Sequence, residues 1–182
     1  MDEEKEYYLL VKKVFRILAP IYDIGTIPIS GVRDKTVDFT DAGKGSKILD
    51  VATGTGKQAL AFAERGYDVT GIDLSEAMLK VASKKNKYEK AKFALADATN
   101  LPFKDSSFDV SCISFALHDM PLSIREKALK EMVRVTKPEG TKFIKSDFES
   151  LLRKSGIGIK EKLPVLVGVG RILKGVNLKL EL

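Results

Sequence analysis

The stretch Lys47-Ile48-Leu49-Asp50-Val51-Ala52-Thr53-Gly54-Thr55-Gly56-Lys57-Gln58-Ala59-Leu60 sets an apolar strand, a carboxylate, a glycine turn and a helix start in direct succession. The glycines let the backbone turn tightly and come close to a ligand. The helix opening near Lys57 aims its free N–H groups and its positive dipole end at the same place. Such a turn holds a nucleotide-like molecule. Gly54-Thr55-Gly56-Lys57-Gln58-Ala59 fits the dinucleotide fingerprint only if Ala59 stands for the third glycine. Asp50 points elsewhere: at the strand end its charge repels a pyrophosphate and suits a cationic amino group. The ligand expected here has an amino-acid end.

Outward from this hub the pattern repeats. Residues 58–64 read as a helix closed by Gly66, and residues 67–73 as a second parallel strand. Asp73 lands at that strand's C-terminal end, where doubly wound folds place an acid that accepts both ribose hydroxyls. Ser75 caps a helix from Glu76 to about Lys85, with acid at its start and lysines at its end. Residues 91–98 form a third strand tipped by Asp97. Residues 107–116 form a fourth, apolar enough to be central in a sheet covered on both faces, and Cys112 within it reads as inert packing. Asp50, Asp73 and Asp97 thus end three successive strands.

Ile48-Leu49-Asp50-Val51-Ala52-Thr53-Gly54-Thr55-Gly56 resembles the first motif of class I S-adenosylmethionine-dependent methyltransferases, in wording closest to the ubiquinone/menaquinone-biosynthesis C-methyltransferase branch (methyltransferase domain type 11). The resemblance runs from about Phe15 to Gly140. It implies S-adenosylmethionine as cofactor, S-adenosylhomocysteine as product, and a doubly wound α/β fold with a mostly parallel seven-stranded Rossmann-like sheet. Asp50, Ala52, Gly54 and Gly56 would hold the cofactor's amino-acid half, Asp73 its ribose, with Leu74 and Met78 flanking the adenosine. Asp97 and Ala98 match the family's adenine-recognising Asp-Ala pair. Phe15-Arg16-Ile17-Leu18-Ala19-Pro20-Ile21-Tyr22-Asp23 is similar to the branch's opening segment, in which an aromatic, here Tyr22, helps to cover the cofactor.

The fourth strand runs into Ser114-Phe115-Ala116-Leu117-His118-Asp119-Met120-Pro121 at the edge where ligands bind, and Ser114 is assigned to the cofactor. His118, the only histidine, stands where the resembled family often places residues facing the methyl acceptor. It is the candidate general base, needed only if the acceptor arrives protonated. Ser123-Ile124-Arg125-Glu126 reads as a capping box for a helix through about Val135. After the turn at residues 133–140 the family has a full fifth strand and a longer pocket-forming segment. Here two adjacent apolar residues, Phe143 and Ile144, run at once into another capping box, for a helix over 147–154. A strand handed to a helix with almost no loop is poor geometry, so a strand-plus-lid segment is expected to be absent between about 141 and 143. The tail, 158–163 and 165–175, reads as an antiparallel strand pair closing the sheet.

At 182 residues with 44% hydrophobic content the chain suits one globular domain: residues 1–40 as a helical cover with an amphipathic first helix, residues 41–182 as the core. A single cysteine excludes a disulfide framework, no apolar run is long enough to span a bilayer, and no metal is expected. A cytoplasmic protein follows. Residues 142–182 hold nine Lys/Arg against four Asp/Glu, leaving 22 against 21 elsewhere, so the net charge of +6 sits in the tail and reads as a solvated face. The lysines at 80–90 lack interleaved aromatics apart from Tyr88, so nucleic acid is not expected. The acceptor is expected to be a small or lipid-like molecule; oligomeric state stays open. Two other readings stand beside this one: a nicotinamide-dependent oxidoreductase on the same fold, and a non-catalytic S-adenosylmethionine-binding protein.

Overall fold

The computed structural model describes residues 3–25, 30–137, 142–144, 157–166 and 170–177. Its centre is a parallel sheet of four strands, β1 (Lys47–Val51), β2 (Asp68–Asp73), β3 (Ala91–Leu95) and β4 (Val110–Ile113), in the order β3-β2-β1-β4. The register sets Asp50 of β1 level with Gly71 on one side and Cys112 on the other. From β1 the chain steps outward to β3 and then returns to the far side of β1 for β4. That reversal leaves a crevice beyond the C-terminal ends of β1 and β4, the place where open α/β sheets bind ligands.

Alternation along the central strands builds two cores. Leu49, Val51 and Ile113 pack with Leu129, Met132 and Val133 of helix α6 (Leu122–Val135) on one face. Ile48, Val69, Val110 and Cys112 pack with Ala59 and Phe62 of α4 (Lys57–Glu64) and Val37 of α3 (Ser30–Thr40) on the other. Asp50, two residues from Ile48, is thereby carried to the α4 side and buried to 1% exposure. Helix α5 (Glu76–Lys85) links β2 to β3, and Ser75 caps it as the sequence indicates, its hydroxyl accepting from the Met78 N–H at 3.4 Å.

The N-terminal helices α1 (Glu3–Leu18) and α2 (Tyr22–Gly25), with α3, close over the crevice. Glu4 of α1 pairs with Lys127 of α6 at 2.8 Å, and the Tyr8 hydroxyl lies 3.3 Å from that of Thr99 beyond β3. Asp23 of α2 is held hardest. It accepts from Thr55 Oγ1 and Lys85 Nζ at 2.5 Å each, while its carbonyl accepts from Lys57 Nζ at 2.9 Å.

Three expectations need correction. The seven strands do not form one sheet: β5 (Lys142–Ile144), β6 (Ile157–Leu166) and β7 (Gly170–Asn177) make a separate antiparallel sheet in the order β5-β7-β6. With three residues β5 lies beside β4 but makes its ladder only to β7. The pair β6/β7 is antiparallel, but its first strand continues through Pro164 with a register shift instead of turning there. Finally, Ser123 does not cap α6. The helix begins at Leu122 behind Pro121, whose fixed φ suits a helix start and whose carbonyl accepts from the Arg125 N–H at 2.9 Å. The Ser123 hydroxyl instead reaches Glu4. The helix expected over 147–154 lies outside the described residues, as does most of the segment around 141.

Candidate functional site: a two-chambered crevice at the strand tips

Two cavities meet at the crevice. The larger encloses about 680 Å³ between the strand tips and α1–α2, bordered by Phe15, Tyr22, Asp73, Met78, Ala98 and Asp119 among others. The smaller, about 450 Å³, runs down to Arg33, Asp50, Thr55, Lys57 and Gln58. Tyr22, Ala52, Ser114 and Phe115 border both, so the chambers join over the ends of β1 and β4. Both volumes include space open to solvent at the mouth of the crevice. At that junction Ala52 and Phe115 hold φ values of 54° and 58°, a left-handed conformation that residues with a Cβ adopt only under constraint.

Asp50 lies at the floor of the smaller chamber. Burial pushes its carboxyl up to about 6, opposed by hydrogen bonds from Thr53 and Cys112. Those are a 2.5 Å bond from Thr53 Oγ1 and a 3.3 Å contact from Cys112 Sγ; among the described residues no Lys or Arg stands within ion-pair distance. Cys112 is inert core packing as expected, burial raising its thiol well above the usual range, and its Sγ adds this contact to Asp50. Close by, Gln58 Oε1 and Ser114 Oγ are buried without a hydrogen-bond partner among the described residues. A buried carboxylate without a cation, beside two orphaned polar atoms, is costly unless a ligand completes it. Arg33 brings the opposite charge to the same chamber, its guanidinium held below the ordinary value chiefly by burial.

Asp73 follows a different pattern. Its two oxygens accept from the N–H groups of Gly54 and Ser75, each at 2.8 Å, while burial raises its carboxyl. The Leu74 N–H bonds to the same carboxylate, which keeps acceptor capacity for a ligand hydroxyl. The acid thus ties the glycine turn to the tip of β2. The two glycines differ. A Cβ on Gly54 (φ 56°) would meet nothing within 4 Å, so its bare backbone fronts open space. A Cβ on Gly56 (φ 77°) would stand 2.8 Å from both Ala82 Cβ and Phe93 Cζ. Packing of Ala82 and Phe93 against the turn thus accounts for a glycine at position 56 without a ligand.

Of the residues singled out in the sequence, Tyr22, Ala52, Asp73, Leu74, Met78, Ala98 and Ser114 border the larger chamber and Asp50 the smaller. Asp97 is set back: one oxygen accepts from the Thr99 N–H and hydroxyl, both at 2.8 Å, in a local turn, while its neighbours Ala96 and Ala98 reach the wall. Asp119, and not His118, borders the cavity; His118 Nε2 lies 3.2 Å from Asp119 Oδ1. Arg33, Gln58 and Phe115 were not singled out. Nothing in their local sequence marks them, because each gains its meaning only when α3, α4 and β4 converge. Among the described residues no cluster of three or more His, Cys, Asp or Glu could hold a metal ion.

Comparison with known proteins agrees with this geometry. The methyltransferase domain family matches residues 49–144, ending with β5. A demethylmenaquinone methyltransferase of Paenarthrobacter aurescens is 42% identical over 135 residues, covering 71% of this chain and 52% of the relative. The ubiquinone/menaquinone biosynthesis C-methyltransferase UbiE of Rickettsia bellii is 43% identical over 122 residues, covering 59% and 48%. In fold, the chain is similar to a Burkholderia thailandensis 1,6-didemethyltoxoflavin-N1-methyltransferase solved with 1,6-didemethyltoxoflavin and S-adenosylhomocysteine (TM-score 0.78, 17% identity, covering 97% of this chain and 91% of that one). The chain spans about half the length of the curated relatives it matches.

Proposed function

Because this chain belongs to the methyltransferase domain family, we propose that it binds S-adenosylmethionine across the joined chambers and supports in-line methyl transfer to a small-molecule or lipid-like acceptor, with S-adenosylhomocysteine as product. The observation that carries the reading is the floor of the smaller chamber, where buried Asp50 without a cation faces the orphaned Gln58 Oε1 and Ser114 Oγ. A diphosphate would match Arg33 but lie against the buried Asp50 carboxylate, which disfavours the nicotinamide alternative; a zwitterionic amino-acid end is matched on both charges. Asp50 takes the ammonium and Arg33 the carboxylate. Asp73 accepts from the ribose hydroxyls, and Leu74, Met78, Ala96 and Ala98 enclose the base, with Asp97, set back between Ala96 and Ala98, the acid assigned to its amine.

When bound, the cofactor supplies a methyl group already activated on a sulfonium. The protein's task is then alignment and exclusion of water, which can supply much of the acceleration. Tyr22, Ala52, Ser114 and Phe115 fix the point where the chambers meet. Asp119 at the wall is placed to touch an acceptor hydroxyl, and His118 holds Asp119 as a positioning residue. The names of the relatives make a demethylated quinone the first acceptor to try.

The test pairs S-adenosylhomocysteine calorimetry with mass spectrometry of demethylmenaquinone incubated with protein and S-adenosylmethionine. Binding together with a one-methyl mass gain is expected. Tight binding without methyl gain on any quinone precursor would favour the non-catalytic reading, and no binding at all would overturn the site. His118→Asn should lower kcat with little change in KM for S-adenosylmethionine.

A further inference from the structure

The two faces of the cover differ in kind. Inward, α1 gives Tyr7, Val11 and Phe15 to the larger chamber. Outward, Leu9, Leu10 and Ile17, with Ile21 and Ile24 just beyond the helix, are each 58–69% exposed. Single exposed aliphatics are ordinary, but five within sixteen residues, from the middle of α1 into α2, are not. Leu10 and Ile17 are two turns apart on one line of the helix, and Leu9, Lys13 and Arg16 lie three and four apart beside it. Lys12, Lys13 and Arg16 are exposed and have no ion-pair partner among the described residues. The acids of α1 are confined to Glu3, Glu4 and Glu6, in its first turn, and Asp23 is turned inward to Thr55 and Lys85.

We propose that this face seats the cover on an anionic lipid surface, the leucines and isoleucines entering the headgroup boundary and Lys12, Lys13 and Arg16 meeting lipid phosphates. The charge selects the occupant: Lys12, Lys13 and Arg16 have no ion-pair partner among the described residues, and a phosphate-rich bilayer neutralises them. Docking stands independently of the methyl-transfer reading. Its consequence, that a lipid-like acceptor reaches the cavity across a single helix lying on the membrane, rests on that reading.

The test needs neither cofactor nor acceptor. The 182-residue chain is sedimented with vesicles of phosphatidylcholine alone or mixed with phosphatidylglycerol. Wild type should bind the anionic vesicles and leave them as salt is raised. Lys12→Gln/Lys13→Gln/Arg16→Gln should weaken partitioning by about a hundredfold, and Leu10→Ser/Ile17→Ser by about tenfold or more. A tail variant, Lys174→Gln/Lys179→Gln, should bind as wild type. The chain has no tryptophan, so Ile17→Trp supplies a single reporter whose emission should shift to the blue on anionic vesicles only. Absence of binding, loss of binding only in the tail variant, an unshifted emission from the Ile17→Trp reporter, or a dimer that the α1 variants dissolve would each overturn the proposal.

Discussion

Gly54 and Gly56 stand two residues apart in one turn, yet they answer to different constraints. Gly54 borders neither chamber and a Cβ there meets nothing within 4 Å, so Gly54→Ala costs the protein the strain of a left-handed residue with a Cβ, about 1 kcal/mol, while setting a methyl on the turn that the proposed cofactor crosses. Gly56→Ala drives a Cβ into Ala82 and Phe93, and overpacking of this kind costs about 1–3 kcal/mol on top of the same strain. Thermal melts and S-adenosylhomocysteine titrations should therefore separate them: Gly54→Ala folded but weak in binding, Gly56→Ala lowered in Tm. Equal effects on both readouts would refute the division. Arg33→Met, which removes the cation facing Asp50 across the smaller chamber, should weaken binding by about tenfold to a hundredfold, on the scale of one charged hydrogen bond, without lowering Tm. The turn, the acids and their order along the strands were legible in the sequence because a strand tip and its glycine turn are local chemistry. Arg33, Gln58 and Phe93 were not, since their roles arise only from long-range convergence: Gln58 Nε2 reaches the carbonyl of Arg33, and Phe93 lies over Gly56 and Gly71.

At the scale of elements, α2 is a four-residue helix with no core of its own, held over the crevice mainly through Asp23. Lys85 and Thr55 keep its carboxyl below the usual carboxylate range even though burial acts the other way. Asp23→Asn keeps the shape and removes the charge that draws in Lys57 and Lys85, so the cover should loosen. The expected result is faster hydrogen exchange in residues 15–24 and weaker cofactor binding, with a change in global stability within about 1 kcal/mol because such pairs are only partly buried. A second fastening is the loop after β3, where Arg134 pairs with Glu131 and Asp105 and donates to the carbonyls of Leu101 and Phe103 at 3.0 and 2.9 Å. Arg134→Met should lower stability by about 2 kcal/mol and free that loop, read as a lowered Tm and increased proteolysis near residue 103. Elements whose ends are decided by neighbouring residues, such as α5 behind Ser75, were legible to the residue. The start of α6 was misread because the Ser-x-x-Glu pattern is also satisfied inside a first turn that Pro121 had already begun. The division into two sheets escaped notice for another reason: whether a three-residue strand ladders to β4 or to β7 depends on contacts distant in sequence.

At the scale of the whole molecule, stability and ligand affinity should oppose each other through Asp50. Its carboxyl is raised to about 6 by burial, so between about pH 4 and pH 6 the folded cofactor-free chain binds more protons than the unfolded one. The contribution of Asp50 to stability is therefore complete below about pH 4 and is lost as pH rises through about 6; Asp73, also raised by burial, acts in the same sense. A ligand ammonium reverses this, because it needs the ionised carboxylate. The amino and carboxyl groups of S-adenosylhomocysteine do not titrate appreciably between about pH 5 and pH 7, so a pH dependence of its binding in that window belongs to the protein. Affinity should rise by up to about tenfold per pH unit below 6 and level off above about 7. Asp50→Asn separates the two effects. Relieved of a buried charge, the cofactor-free variant should melt above wild type at about pH 8, despite the awkward fit of an amide beside the Thr53 hydroxyl and the Cys112 thiol, and at about pH 5 it should show no comparable gain. Its affinity for S-adenosylhomocysteine should be weak and nearly flat with pH. A variant that melted lower than wild type throughout, or one that bound with the wild-type pH profile, would show that Asp50 is structural and that the charge of the site lies elsewhere.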